Sequence, residues 1–389
     1  MPDWLVIGGG ITGAALAYEL VHQGFSVALI DSETPELTAT DCSYGGLAHW
    51  AGTTPLMRQL CQDGLTQYRH LTDELTAETG FRETQLLLTI PIGAEPAAIA
   101  AQYERFAIAP HLLSPQQAQE LEPILNPDAI AAALRLPHAH MHPTQTCQAY
   151  LQAFKRQGGR IVRDHVQQWL QKRGRIVGVQ TPTQHYQSDR VVLCAGGWSR
   201  GLLTQLGLSP SIYFTHAEIL EGIAPPGTVQ GMIMPAQLQR LALEQAATQP
   251  EQQAYWQEPG QQLAPSILDL GLVQFADGTV RLGQISRTLS DLDAPIDAPA
   301  SAHRLRQAAA ELFPALDTTN YRWRHCLVAF PTQPFLPVGA IPTQPSLHLF
   351  SGFGNALLLT PPLARHFAAW AAQGHDPVMA ALQTDLKIP

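Results

Sequence analysis

Close to the N-terminus the chain reads Val6-Ile7-Gly8-Gly9-Gly10-Ile11-Thr12-Gly13-Ala14, and this stretch limits the fold more than any other. Gly8, Gly10 and Gly13 fit the spacing G-x-G-x-x-G, and each has a physical reason. Gly8 permits a tight turn after the apolar strand "WLVI". Gly10 lets a diphosphate approach bare backbone amides, and Gly13 lets helix and sheet pack closely. "ITGAALAYELVHQG" then reads as a helix stopped by Gly24, and "FSVALID" as a second strand ending on Asp31. A diphosphate on this turn sits at the positive end of the helix, with Ile11 and Thr12 in its first turn. Asp31, followed by Ser32, is placed to accept hydrogen bonds from an adenosine ribose and to repel a 2′-phosphate. The unit is that of a dinucleotide-binding α/β domain.

Composition narrows the class. A 45% hydrophobic and 14% charged content belongs to a chain that buries a core. The net charge of −9 argues against nucleic acid, whose backbone asks for a basic stripe. Five scattered cysteines form no C-x-x-C pair, so neither a zinc site nor a dithiol is readable. Met1–Trp4 leads straight into a strand without a signal peptide, and the apolar stretch 86–101 is broken by Pro91, Gly93, Glu95 and Pro96. No transmembrane segment and a cytoplasmic location are the expectations.

Two later stretches can approach the same cofactor. "TATDCSYGGLAHW" (38–50) is a small, polar loop in which Thr40, Ser43, Gly45 and Gly46 allow close contact, with Leu47 beyond. Residues 158–199 read as three or four strands that close on Val191-Val192-Leu193-Cys194-Ala195-Gly196-Gly197-Trp198, an apolar strand ending in small residues. "PHAHMHP" (137–143) puts three histidines on one side of a strand, but no carboxylate or cysteine joins them, and no metal is expected.

These pieces, with "DGTVRLGQISRT" (277–288), "FLPVGA" (335–340) and "LHLFSGFGNALLLTPPLARHFAAW" (347–370), resemble the FAD-dependent D-amino-acid oxidase family, in particular its glycine oxidase and sarcosine oxidase branch. The resemblance implies a Rossmann-like FAD-binding domain (residues 1–80, 140–205 and 320–389) interleaved with an antiparallel-sheet substrate domain (81–139 and 206–319). A helical insert, 236–263, interrupts the second and reads as a solvated excursion, a lid or a partner-docking element. FAD is the implied cofactor, touched by Gly8–Gly13, Asp31, Ser32 and the 40–47 loop. The backbone of Val166 and the small residues Ala195, Gly196 and Trp198 are implied to join them. Gly352, Gly354, Asn355, Ala356, Leu357 and Leu358 are implied to approach the flavin pyrimidine edge.

The implied chemistry is oxidation of a C–N bond in an amine or amino-acid-like substrate by hydride transfer to flavin N5, with oxygen or another acceptor taking the electrons. Two departures stand out: Ala329 and Gly354 occupy positions where the family's amino-acid specialists carry carboxylate-binding arginines, and Pro334 replaces an Asp of the same motif. Arg324, Arg322 and His49 are the candidate catalytic residues, with His325, Arg287 and Arg58 as further replacements for the lost guanidinium groups. Cys326 lies near where the sarcosine oxidase branch ties its flavin covalently and reads as a buried, inert thiol. A FAD-binding assembly protein without turnover and a flavoenzyme acting on modified nucleotides are the alternatives.

Overall fold

A computed structural model of the chain describes residues 1–32, 38–332 and 336–383, so Pro334 and Phe335 lie outside the described residues. The apolar run at the N-terminus is the central strand Trp4–Ile7, buried along its whole length. It lies between Val27–Asp31 and Val191–Leu193 in a six-stranded sheet, with Arg160–Arg163, Gln344–Phe350 and Val338–Ile341 beyond them. All are parallel except Val338–Ile341. Parallel strands need crossovers, and the helices supplying them cover the sheet. One face carries Ile11–His22, Pro143–Arg156 and Ala356–Gln373, which bury Leu16, Tyr150, Phe154 and Phe367 against it. The other face is closed by a small antiparallel sheet of Gln168–Lys172, Arg175–Gln180 and His185–Gln187.

A nine-stranded, mostly antiparallel sheet forms the second layer. Its long strand Ile212–Ile223 is buried on both faces over most of its length. The helix Ala298–Leu312 covers one side through Leu305, Ala309 and Phe313. Arg322–Pro331 is the edge strand of this sheet, paired with Ile212–Ile223, although the family resemblance implies the FAD domain for 320–389. Ten consecutive ladder partners hold it there, so the division near residue 320 falls before a strand that belongs to the other sheet.

The insert is not a solvated excursion. Its helix Gln239–Ala247 buries Leu243 and Ala247, and Trp256 follows them into a cluster with Tyr213, Phe214 and Phe330. Trp256 Nε1 donates to Ala247 O at 2.8 Å, and the Arg200 guanidinium stands 4.6 Å from the Tyr213 ring centre. Each buried large side chain contributes roughly 1.5–3 kcal/mol, more than the single, partly exposed Arg240–Glu244 pair on the same helix can add. Packing, not charge, holds the insert down.

Candidate functional site

Between the two sheets runs one large cavity of about 1470 Å³. Its floor is the glycine turn. Gly8 has φ +103°, and a Cβ there would lie 2.6 Å from Cys194 O. A Cβ on Gly13 would lie 1.9 Å from Gly8 O, so Gly13 serves the packing of helix on sheet. At Gly10 the nearest atom to such a Cβ is Thr40 Oγ1 at 3.4 Å, and the residue otherwise opens on the cavity. Gly10 caps the helix without a side-chain bond, leaving the positive end of the helix to face the space. Asp31 Oδ1 accepts from Gly9 N at 2.9 Å and Oδ2 from Arg163 at 2.6 Å.

The walls come from four segments far apart in sequence. Thr38–Tyr44 and Gly46 form one, held by a capping box between Thr38 and Asp41 and by Arg281, which donates to Ser43 O. Asp164–Gln168 form a second beside Asp31, to which Asp164 N is bonded through the main chain at 3.0 Å. Cys194–Trp198 form the third, and Ser351–Leu357 the fourth. Asn355 adopts a left-handed conformation (φ 51°), anchored by Nδ2 to Ala48 O at 3.2 Å, and starts the helix Ala356–Gln373. Two helix N-termini therefore face the cavity.

The roof is the nine-stranded sheet: Ala217, Ile219, Gln284 and His325–Pro331, joined by Arg240, Leu241 and Glu244 from the insert. His325 Nε2 lies 3.0 Å from His216 Nδ1, and His216 Nε2 lies 2.8 Å from Asp291 O. Burial and the neighbouring imidazole push His216 down to about 4. Cys42 and Cys326 both line the cavity and both are buried and free; a hydrogen bond to Cys326, then burial, pushes the Cys42 thiol up.

Most residues singled out from sequence border this cavity: Gly8, Gly10, Ile11, Thr12, Asp31, Ser32, Thr40, Ser43, Gly46, Val166, Ala195, Gly196, Trp198, Gly352, Gly354, Asn355, Ala356 and Leu357. Gly13, Gly45, Leu47 and Leu358 do not. Gly45 is required by its φ of +76° and by Met141 O, 2.0 Å from where its Cβ would be. Leu47 and Leu358 are core residues.

The catalytic candidates need correction. Arg324 pairs with Glu221 at 3.1 Å, and neither it nor Arg322 lines the cavity, whose wall on this strand begins only at His325. His49 lies outside it too, half-buried, with burial lowering its pKa. Arg287 is bound to buried Glu218 at 2.7 Å, and Arg58 reaches Gly52 O. Of the suggested replacements only His325 reaches the cavity. Ala329 and Gly354 both face it, and Arg240 is the one arginine or lysine on its wall among the described residues. The three histidines of 137–143 serve structure: His138 accepts from Trp50 Nε1 at 3.3 Å, His140 bonds Tyr44 O at 2.8 Å, and His142 caps a helix. Burial holds His138 and His140 near 3, hence neutral.

Sequence reasoning missed Arg240, Asp269 and Gln284. Only Asp269 carried a signal, as a lone acid inside the apolar run "ILDLGLV".

A glycine-turn α/β domain roofed by a second sheet, with one long cavity between them, defines a dinucleotide-binding oxidoreductase architecture. The family model DAO, FAD dependent oxidoreductase, matches residues 3–370, and the chain belongs to that family. It is 27% identical to the oxidoreductase YurR of Bacillus subtilis over 235 residues, 57% of this chain and 62% of that one. Glycine oxidase of the same organism is 26% identical over 221 residues, 56% of this chain and 60% of the relative. Human mitochondrial sarcosine dehydrogenase is 27% identical over 245 residues, 56% of this chain but 26% of that protein. The matches thus span less than two thirds of these relatives' own length. Glycine oxidase from Geobacillus kaustophilus superposes with a TM-score of 0.79 at 19% identity, covering 99% of this chain and 98% of that one. Iminodiacetate oxidase from Chelativorans gives 0.74 at 20% identity over 96% of both chains. At these identities the structural likeness is one of fold. No helix among the described residues is long and apolar enough to cross a membrane.

Proposed function

We propose that the cavity holds FAD in an extended form and that the chain oxidises a C–N bond of an amine or amino-acid-like substrate under its roof. The cavity itself carries this reading. It exceeds the roughly 300–1,000 Å³ of a drug-sized site and runs from an acid-tipped glycine turn to an enclosing sheet. The residues suit the cofactor: Gly10 presents open backbone where a side chain would fill the diphosphate's place. Gly8–Thr12 would hold the diphosphate, Asp31, Ser32 and Val166 the adenosine, and Gly352–Leu357 the pyrimidine edge beside a helix N-terminus. Thr40, Ser43, Gly46 and Ala195–Trp198 would line the path between.

When bound, FAD supplies the hydride acceptor, and oxygen or another acceptor reoxidises it. The protein's share is to bind, orient and dehydrate the amine. Ala217, Ile219 and Val328 give the roof apolar surface, while Gln284 and His325 give it polar contacts. Water excluded there strengthens every charge contact the substrate makes.

The purified protein should be yellow and should release FAD, not FMN, on acid treatment. Anaerobic mixing with a panel of amines and amino acids, followed in the visible spectrum, tests the rest. Bleaching by at least one amine supports oxidation; a flavin that no member reduces points to a binding protein without turnover.

A further inference from the structure

Beside the roof, a second chamber of about 240 Å³ adjoins the main cavity and shares Tyr44, Arg240, Leu241 and Gln284 with it. Asp269 lines this chamber and not the main cavity. Asp269 is 6% exposed as a residue, and its Oδ1 has no hydrogen-bond partner among the described residues. Tyr44 is 9% exposed, and its hydroxyl likewise lacks a partner. Buried polar atoms are almost always bonded, so two orphans on one chamber point to a ligand that bonds them.

Charge decides the kind of ligand. Arg240 is committed to Glu244 at 2.9 Å and to Thr215 Oγ1 at 3.0 Å. The Arg240 guanidinium is taken up by Glu244, and among the described residues no salt bridge reaches Asp269, which leaves this carboxylate of the chamber without an ion-pair partner. A buried carboxylate without a partner is costly, and a cation entering beside it removes that cost. Met234, Leu238 and Leu241 supply apolar wall for a methylene chain leading there from the main cavity. The volume exceeds the ~30 Å³ share of one water several-fold, so a carbon-bearing group fits.

We propose that the side chamber is a specificity subsite for a second, protonated nitrogen of the substrate, held by Asp269 and Tyr44, so that the preferred substrates are diamines or comparable amines with a distal ammonium group. This rests on the amine-oxidising reading above. It also accounts for Ala329 and Gly354, since a substrate gripped by its distal cation does not need a carboxylate clamp.

The test uses the FAD-loaded wild type and Asp269→Asn with α,ω-diamines of three to six carbons and butylamine. In the wild type the best diamine should reduce the flavin at least tenfold more efficiently than butylamine, and that preference should collapse in Asp269→Asn. Calorimetric binding of the same diamine should weaken at least tenfold in the variant, a readout independent of turnover. Diamine binding that depends on Asp269 without any bleaching would support the subsite and contradict amine oxidation. Bleaching by amines with no diamine preference would overturn the subsite and leave the oxidation reading standing. Should Asp269→Asn fail to fold, Tyr44→Phe and the wild-type preference alone decide: equal efficiency for diamine and butylamine overturns the proposal.

Discussion

The two ends of the cavity are built on opposite principles. At the glycine turn the groups on offer come from main-chain amides, a helix terminus and one carboxylate, within a contiguous segment from Trp4 to Asp31. At the roof they come from side chains on strands far apart in sequence, among them Ala217, Gln284 and Cys326, and on the insert. Backbone recognition depends on the absence of side chains and leaves a fixed spacing. Side-chain recognition depends on which residues the topology brings together, so it can change between relatives without changing the fold.

The contrast breaks first at Gly13. Gly13→Val should abolish soluble expression of folded protein, since its Cβ would collide with the Gly8 carbonyl. If the variant melts like the wild type by circular dichroism, the turn is more adaptable than described.

At the other end, Trp256→Ala should cost about 3–5 kcal/mol in chemical denaturation, as for other buried aromatic truncations. A cost under 1 kcal/mol would return the insert to the solvated surface.

Substrate preference comes next. With Ala329 and Gly354 facing the cavity, neither position offers glycine, sarcosine or D-alanine a carboxylate anchor. A buried charge pair of that kind is worth on the order of 2–5 kcal/mol, roughly thirtyfold to several-thousandfold in affinity. Little or no peroxide should form from these amino acids at millimolar concentration. Brisk glycine oxidation would mean that Arg240, the one cavity arginine, acts as the clamp, and Arg240→Ala would then remove it.

The smallest effect concerns pH. Burial raises Asp269 to about 6 from its ordinary 3.8, with Arg240 partly opposing. The folded state thus holds a proton that the unfolded state releases, and stability falls as pH rises from about 4 through 6. In the absence of amine, Asp269→Asn should match the wild type near pH 4 and exceed it at pH 8 by on the order of 1–3 kcal/mol. An unchanged difference across that range would show Asp269 to be satisfied in the folded protein.

How much could be read beforehand follows the same division. The strand, turn, helix and Asp31 were legible because each obeys a local rule, and the glycine spacing leaves few alternatives. The Ser351–Leu357 segment was reached only through family resemblance, since nothing local marks a left-handed Asn355 before a helix. Arg324 misled because sequence does not show where along its strand the cavity ends: Arg324 lies just past His325, outside it, and pairs with Glu221. Arg240 was invisible for another reason. The insert around it reads as helical, but its Gln- and Ala-rich composition hides that Leu243 and Ala247 are buried. Asp269 was legible as an anomaly but not as a site, because its chamber needs Tyr44 from one segment and Gln284 from another.

The most direct measurement is flavin stoichiometry by visible absorbance in the wild type and Gly10→Val, purified side by side and incubated with excess FAD. A Cβ at Gly10 meets only Thr40 Oγ1 at 3.4 Å, so the variant should fold with an unchanged far-ultraviolet spectrum. The wild type should carry one FAD per chain and the variant almost none. Full FAD in folded Gly10→Val, or none in either protein, would contradict the account.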